Sequence, residues 1–366
     1  MTNCRDIDFV VIGEGEEQSL ALARLTQSGT LDLNTTDGLA YRLNNQIVIK
    51  PKSSYISDLN NLPFPAYDLL NFGDYLHDTS TWHNPYKIDF GIRVPVITSR
   101  GCPNLCTFCS VSHAMGYRHR PMSANKVVDM LQWLYETKAI HTFVIYDANF
   151  AQDFKRVITI CDEIQRRNIK LTLDLPTGLP LNKTAKEMID ALAGVGLIRT
   201  CVSVESGDIS IRNDVMKKKI MEDEALDVIK AIRKYPQIFL MTDFVMGMPE
   251  ETIKSLDASV GLMESLDTDD IDLSIAAPYP GTELFAQCVR DNLFFSDINI
   301  NMLYCSTEYS HSNRNRFIIK PYKLDIDTLS RYRDKILLLR KNKIQAYHNR
   351  MKKIYGVDSL YRTNLL

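Results

Sequence analysis

The stretch Thr98-Ser-Arg-Gly-Cys-Pro-Asn-Leu-Cys-Thr-Phe-Cys-Ser110 decides how the rest of this chain is read, because it sets Cys102, Cys106 and Cys109 within eight residues. Gly101, Pro103 and Asn104 are turn formers that keep the segment out of helix and strand, leaving a loop whose sulfurs can converge. Convergent thiolates bind soft metals. Structural zinc takes four protein ligands and an ordinary ferredoxin cluster takes four cysteines, whereas this loop supplies three. The spacing Cys-x-x-x-Cys-x-x-Cys suits a cubane cluster with one iron left open, and an open position separates catalytic metal sites from structural ones. A zinc loop completed by His113, His119 or the distant Cys201 is the competing reading.

With 366 residues, 45% of them hydrophobic, the chain can bury a full core and hold one large domain with appendages. A formal charge of -2 gives no basic field toward nucleic acid or anionic membrane, so neither is an expected partner. No stretch approaches the roughly eighteen apolar residues of a membrane span. Met1-Thr-Asn-Cys-Arg-Asp6 also lacks the apolar core of a signal peptide. The cytoplasm is the expected compartment. Thiols stay reduced there, so eight cysteines speak for metal or catalysis rather than disulfides. Cys4, Cys161, Cys201, Cys288 and Cys305 stand singly and read as small buried hydrophobes.

Outward from the loop, strands alternate with amphipathic helices, the pattern of a parallel sheet. Strands are expected at 94–99, 141–147, 170–175, 200–205, 238–246 and 270–276. Between them Val127, Met130, Leu131 and Leu134, then Ala225, Val228, Ile229 and Ile232, mark helical faces. Another helix opens on the capping box Thr184-Ala-Lys-Glu187. Six right-handed units cannot close an eight-fold barrel, so a partial (β/α)6 barrel is expected over 94–291, with its chemistry beyond the C-terminal strand ends. Residues 292–366 form a C-terminal helical extension, in which Tyr332, Ile336, Leu339, Tyr347, Met351 and Ile354 recur at helical spacing with a basic outer face. Residues 1–93 come first, where Asp8-Phe-Val-Val-Ile12 reads as a buried strand before the turn Gly13-Glu-Gly-Glu16. That turn is a weak dinucleotide site, lacking a third glycine and full of glutamates.

The cysteine loop, with Phe108 just before its last cysteine, resembles the signature of the radical SAM superfamily. The resemblance implies a [4Fe-4S] cluster on Cys102, Cys106 and Cys109 whose open iron chelates S-adenosylmethionine (SAM), and reductive cleavage to a 5′-deoxyadenosyl radical. Asp147 and Asn149 match a position that binds the methionine amine. Glu205, with Ser203 on the same side by strand alternation, matches one that meets the ribose or the amine. Phe108, Asp147, Asn149, Ser203 and Glu205 are thus the expected SAM-site residues, with no catalytic acid or base identified. Gly247-Met-Pro-Glu250 and Pro278-Tyr-Pro-Gly-Thr282 resemble turns of the same family after the fifth and sixth strands. His113, Arg118, His119 and Arg120 are cations able to hold an anionic substrate or the SAM carboxylate.

Together with Asp58-Leu-Asn-Asn-Leu-Pro-Phe-Pro65, the Gly-Glu-Gly-Glu turn resembles the seam of the cobalamin-linked branch of that superfamily. There it ends a doubly wound cobalamin domain, of which residues 1–93 would be the tail and linker. Cobalamin is then expected only if such a domain is supplied. Methyl transfer or rearrangement on a small-molecule substrate is the implied activity, with flavodoxin or ferredoxin as electron donor. A tRNA methylthiotransferase would need a second three-cysteine domain and a basic RNA-binding domain, neither of which is visible. A non-catalytic metal-binding scaffold protein is the remaining alternative.

Overall fold

The computed structural model describes residues 1, 4–28, 36–72, 92–179, 185–299 and 316–355. Thr184 of the expected capping box and Cys305 lie outside them. The N-terminal part comprises β1 (Phe9–Val11), α1 (Glu16–Ser28), β2 (Leu39–Leu43) and β3 (Gln46–Lys50). These strands form an antiparallel sheet in the order β1-β2-β3. Two of them were not expected. Asn44 and Asn45 both take left-handed φ angles, 48° and 62°, as the tight turn of a twisted hairpin requires. Phe9–Val11 therefore edges an antiparallel meander, and with Phe9 and Val10 more than a third exposed it is not the buried strand that its apolar run predicts.

The barrel begins at β4 (Arg93–Val96), followed by the short β5 (Ser99–Arg100), α2 (Val111–Met115), β6 (Arg120–Pro121) and α3 (Ala124–Lys138). Then come β7 (Thr142–Ile145), α4 (Phe154–Arg166), β8 (Thr172–Leu175), α5 (Ala185–Gly194), β9 (Leu197–Glu205) and α6 (Glu222–Ile232). They are followed by β10 (Phe239–Met246), α7 (Ile253–Ser265), β11 (Asp270–Ile275) and α8 (Glu283–Arg290). Six strands pair in parallel in the order β11-β10-β9-β8-β7-β4, so spatial order follows chain order as in a partial barrel. Every residue of β7 is buried, the mark of a strand covered on both faces. Ser123 caps α3 at Lys126, Asp153 caps α4 at Arg156 and Thr252 caps α7 at Ser255, offsetting helix amides left without intrahelical partners. The predicted face of α3 is buried, Val127, Met130, Leu131 and Leu134 all being at most 1% exposed.

A 30-residue helix, α9 (Ile326–Tyr355), closes the description. Ile336, Tyr347 and Met351 are buried as the spacing predicts, but Ile354 is exposed. The basic residues do not all face outward. Arg340 Nε lies 2.7 Å from Asp270 and Arg350 Nη1 2.6 Å from Asp269, at the start of β11, while Lys343 donates to the Leu266 carbonyl at 2.6 Å. Tyr347 and Met351 pack on Cys201, Phe239 and Met241, so α9 closes the N-terminal end of the barrel. Among the described residues no helix is long and apolar enough to cross a membrane.

Candidate active site

The cysteine loop lies between β5 and α2 and is pinned by its own backbone. Gly101 has φ +79°, and a Cβ there would stand 2.1 Å from the Arg118 carbonyl oxygen, so only glycine lets the two chain passes meet. Cys102 N donates to Gly116 O at 3.2 Å. Buried Thr107 anchors the centre: its N–H reaches Met216 O at 3.2 Å, its hydroxyl reaches Val215 O at 2.9 Å, and its carbonyl accepts from Leu284 N at 3.0 Å.

Cys102, Cys106 and Cys109 are half-buried free thiols. Burial pushes Cys106 up to about 11, against the pull of Lys218, while the charges of Cys109, Glu205 and Cys102 push the same way as burial. Three thiolates here would repel one another, and a bound cation relieves that. Among the described residues no three potential ligands already stand as a closed metal set. None of the closing ligands of the zinc reading joins the three cysteines in a metal set among the described residues. Cys201 is fully buried and donates to Pro176 O and Asp243, both at 3.2 Å. His119 is tied to the Asn149 backbone, and burial, then Arg156, lowers its pKa. His113 packs edge-on to Tyr117, with ring centroids 5.9 Å apart.

At the strand ends the structure separates residues that the sequence grouped. Asp147 is fully buried and turned away from the mouth: it accepts from Thr98 N at 2.5 Å and from the hydroxyls of Thr98 and Ser99, each at 2.6 Å. It ties β7 to the strand leading into the cysteine loop, which corrects its expected place against SAM. Asn149 does face the loop, with Nδ2 4.0 Å from Cys102 Sγ and 2.7 Å from Gln152 Oε1.

Ser203 is not the companion of Glu205. Register shifts between Asp243 and Phe244, whose partners on β9 are Ser203 and Glu205, so Val204 is bulged out. Ser203 Oγ donates to Asp243 at 2.5 Å, while Glu205 takes φ +69° and meets Lys218 Nζ at 2.6 Å. A left-handed glutamate costs about 1–2 kcal/mol, so the ion pair accompanies a strained backbone aimed at the mouth.

Phe108, Cys109, Tyr146, Glu205, Asp243 and Tyr279 line a cavity of about 520 Å³ at the C-terminal end of the strands. Its size suits a small molecule and its position is where barrel chemistry occurs. Burial, then the charge of Glu205, pushes Asp243 up to about 6 against the bond from Ser203. Sequence reasoning missed Lys218, which lies in a loop after a π-helical turn (Ile211–Val215) with no local signal. Burial opposes its charge, but Glu205 outweighs this and raises its pKa. Asp243 looked like an ordinary strand residue. In the turn after the fifth barrel strand, the amides of Gly247 and Met248 donate to Glu251 at 2.6 and 3.1 Å. Arg120 is likewise engaged internally, with Glu14 at 2.7 Å.

Residues 96–263 match the Radical SAM superfamily. That stretch is similar to the domain of a superfamily whose cofactors are a [4Fe-4S] cluster and SAM. Three free, mutually interacting thiols on one loop fit that cluster. The chain is similar to an uncharacterized methyltransferase of Pyrococcus horikoshii, 29% identical over 296 residues that cover 81% of this chain and 61% of the relative. It is also similar to the cytidylyl-2-hydroxyethylphosphonate methyltransferase of Streptomyces wedmorensis, 26% identical with 78% and 57% covered. It thus spans less than two thirds of the length of these curated relatives. The fold is similar to that of the radical SAM methyltransferase TsrM of Kitasatospora setae, solved with cobalamin and a [4Fe-4S] cluster bound. The TM-score is 0.65 at 18% identity, covering 90% of this chain and 68% of that one.

Proposed function

We propose that this chain is a radical SAM enzyme acting on a small molecule in the mouth cavity, with methyl transfer as its reaction. The observation that carries the reading is one cavity whose wall includes both Cys109 of the three-thiol loop and Glu205 with its buried partner Lys218. The methyltransferase relatives favour methyl transfer over rearrangement. Cys102, Cys106 and Cys109 would hold the cluster. When bound, cluster and SAM supply one-electron reductive cleavage of the sulfonium.

The chain's own groups position and shield. Asn149 offers an amide beside Cys102 to a polar group of SAM. Glu205 accepts hydrogen bonds from its hydroxyls or ammonium, Lys218 offsets its carboxylate, and Phe108 keeps water from the cluster side of the cavity. Ser203 acts one step removed, by orienting Asp243 in the cavity wall. Positioning of this kind, more than acid–base work, is what radical chemistry asks of the protein.

A flavodoxin- or ferredoxin-type donor would deliver the electron in the cytoplasm, a setting consistent with seven free cysteines among the described residues. Cobalamin enters only where a doubly wound domain is supplied, since the described N-terminal strands are antiparallel. Anaerobic reconstitution followed by iron, sulfide and 5′-deoxyadenosine analysis tests the proposal. Protein with all of Cys102, Cys106 and Cys109 changed to alanine should lose iron and SAM cleavage together. Retained iron in that variant would remove the assignment.

A further inference from the structure

A second cavity, of about 400 Å³, lies on the other side of α2. Ser110 and Val111 line the mouth cavity, whereas Ser112 and His113 line this one. Its opposite wall is the N-terminal segment through Lys52, Tyr55 and Ser57, and the chain returning from α2 supplies Tyr117, Arg118 and Arg120. Among the described residues no carboxylate lines it.

The three lining Lys and Arg residues are not equivalent. Arg120 is spoken for: it pairs with Glu14 at 2.7 Å and donates to the carbonyls of Ile56 and Met115 at 2.7 and 2.6 Å. Lys52 is not. Its side chain is only 4% exposed and its ammonium reaches Asp37 at a stretched 3.9 Å. That carboxylate is already occupied by the amides and hydroxyls of Ser53 and Ser54 and by Gln18. The stem of Lys52 runs beneath Gly13 and Gly38, where an added Cβ would approach it to 3.3 and 2.6 Å. The Gly-x-Gly turn thus makes room for a lysine rather than for a pyrophosphate. Arg118 is exposed, and its guanidinium has no hydrogen bond or ion pair among the described residues.

A lysine side chain this buried, whose ammonium has only a distant and already engaged carboxylate, keeps donors available that an anionic ligand would satisfy. We infer that this cavity binds a phosphate-bearing small molecule, its anion held between Lys52 and Arg118. Phosphate fits better than carboxylate because the donors come from several directions: an ammonium, a guanidinium fork and the hydroxyls of Ser57 and Ser112. The cavity exceeds a bare phosphate, and the Tyr117 and Tyr55 rings offer apolar surface to the rest of the ligand. One face of Tyr55 is already covered by Arg120, 5.1 Å from its centroid.

The test titrates reconstituted full-length protein calorimetrically with phenyl phosphate, and with benzoate as a carboxylate of similar shape. Phenyl phosphate should bind saturably and more tightly than benzoate. Arg118→Gln and Lys52→Met should each weaken it by about tenfold or more, as expected for lost charge-assisted bonds. Iron content and SAM affinity should not change, which separates this site from the mouth cavity. Arg118 is exposed, so its variant stays informative even where Lys52→Met misfolds. No saturable binding, or binding that Arg118→Gln leaves intact, overturns the proposal, and benzoate binding as tight as phenyl phosphate overturns the choice of phosphate.

Discussion

The Glu205 carboxylate and the Lys218 ammonium stand 2.6 Å apart at the barrel mouth, their side chains 8% and 17% exposed. Removing one partner of such a pair leaves a desolvated charge, which costs about 3–5 kcal/mol when the site stays closed to water. Lys218→Met should therefore lower stability to denaturant and weaken SAM binding at least tenfold. Adding Glu205→Gln should restore much of the stability but not the SAM affinity. Wild-type-like unfolding of Lys218→Met would mean that water screens the pair.

Asp147 and Asn149 should part company on substitution. Asp147→Asn disturbs a buried acceptor of three hydrogen bonds and should cost about 1–3 kcal/mol of stability. Asn149→Ala should leave denaturant unfolding nearly unchanged while raising the SAM dissociation constant several-fold. The reverse pattern would exchange their roles.

Gly101→Ala should reduce iron incorporation without touching a thiol. Its methyl would meet backbone 2.1 Å away, so the loop must shift and carry Cys102 with it. Iron-to-protein ratios after reconstitution measure the effect, and a wild-type ratio would show that the loop adapts.

Glu251 carries a pH signature. Burial pushes its folded-state pKa up to about 8, against the two backbone amides it accepts, whereas an unfolded glutamate titrates near 4.5. Between those limits unfolding releases a proton, so this group's contribution is complete below the unfolded pKa and is lost as pH rises through about 8. One such proton corresponds to a slope of about 1.4 kcal/mol per pH unit. Glu251→Gln cannot titrate, so its melting temperature should fall less between pH 6 and 8, by calorimetry, than that of the wild type.

The barrel was legible because its signals are periodic. Helical faces such as Val127 to Leu134 repeat at the spacing their element demands, and β7 is a short, largely apolar run buried along its whole length. The cysteine loop was legible because three like residues carry their own chemistry. What escaped depends on register and distant contact. Strand alternation placed Ser203 beside Glu205, but a bulge at Val204 parts them and gives each a partner from elsewhere in the chain, Asp243 and Lys218. Asp147 matched a binding motif, yet its oxygens belong to Thr98 and Ser99, forty-nine and forty-eight positions away. The hairpin of β2 and β3 rests on Asn44-Asn45, a turn signal overlooked beside the stronger Gly-Glu-Gly-Glu phrase.

With Tyr347 and Met351 seated on Phe239 and Met241, and Arg340 and Arg350 clasping Asp270 and Asp269, α9 covers the barrel at the starts of β10 and β11, opposite the mouth cavity. Phe108 and Cys109 of the cysteine loop line the mouth cavity, so on the function proposed above SAM and the second reactant would share that one space, and the one that sits deeper would arrive first and depart last. Catalysis on this scaffold is therefore a matter of queueing. Inhibition by a dead-end SAM analogue, read against each reactant in turn, would reveal who waits for whom.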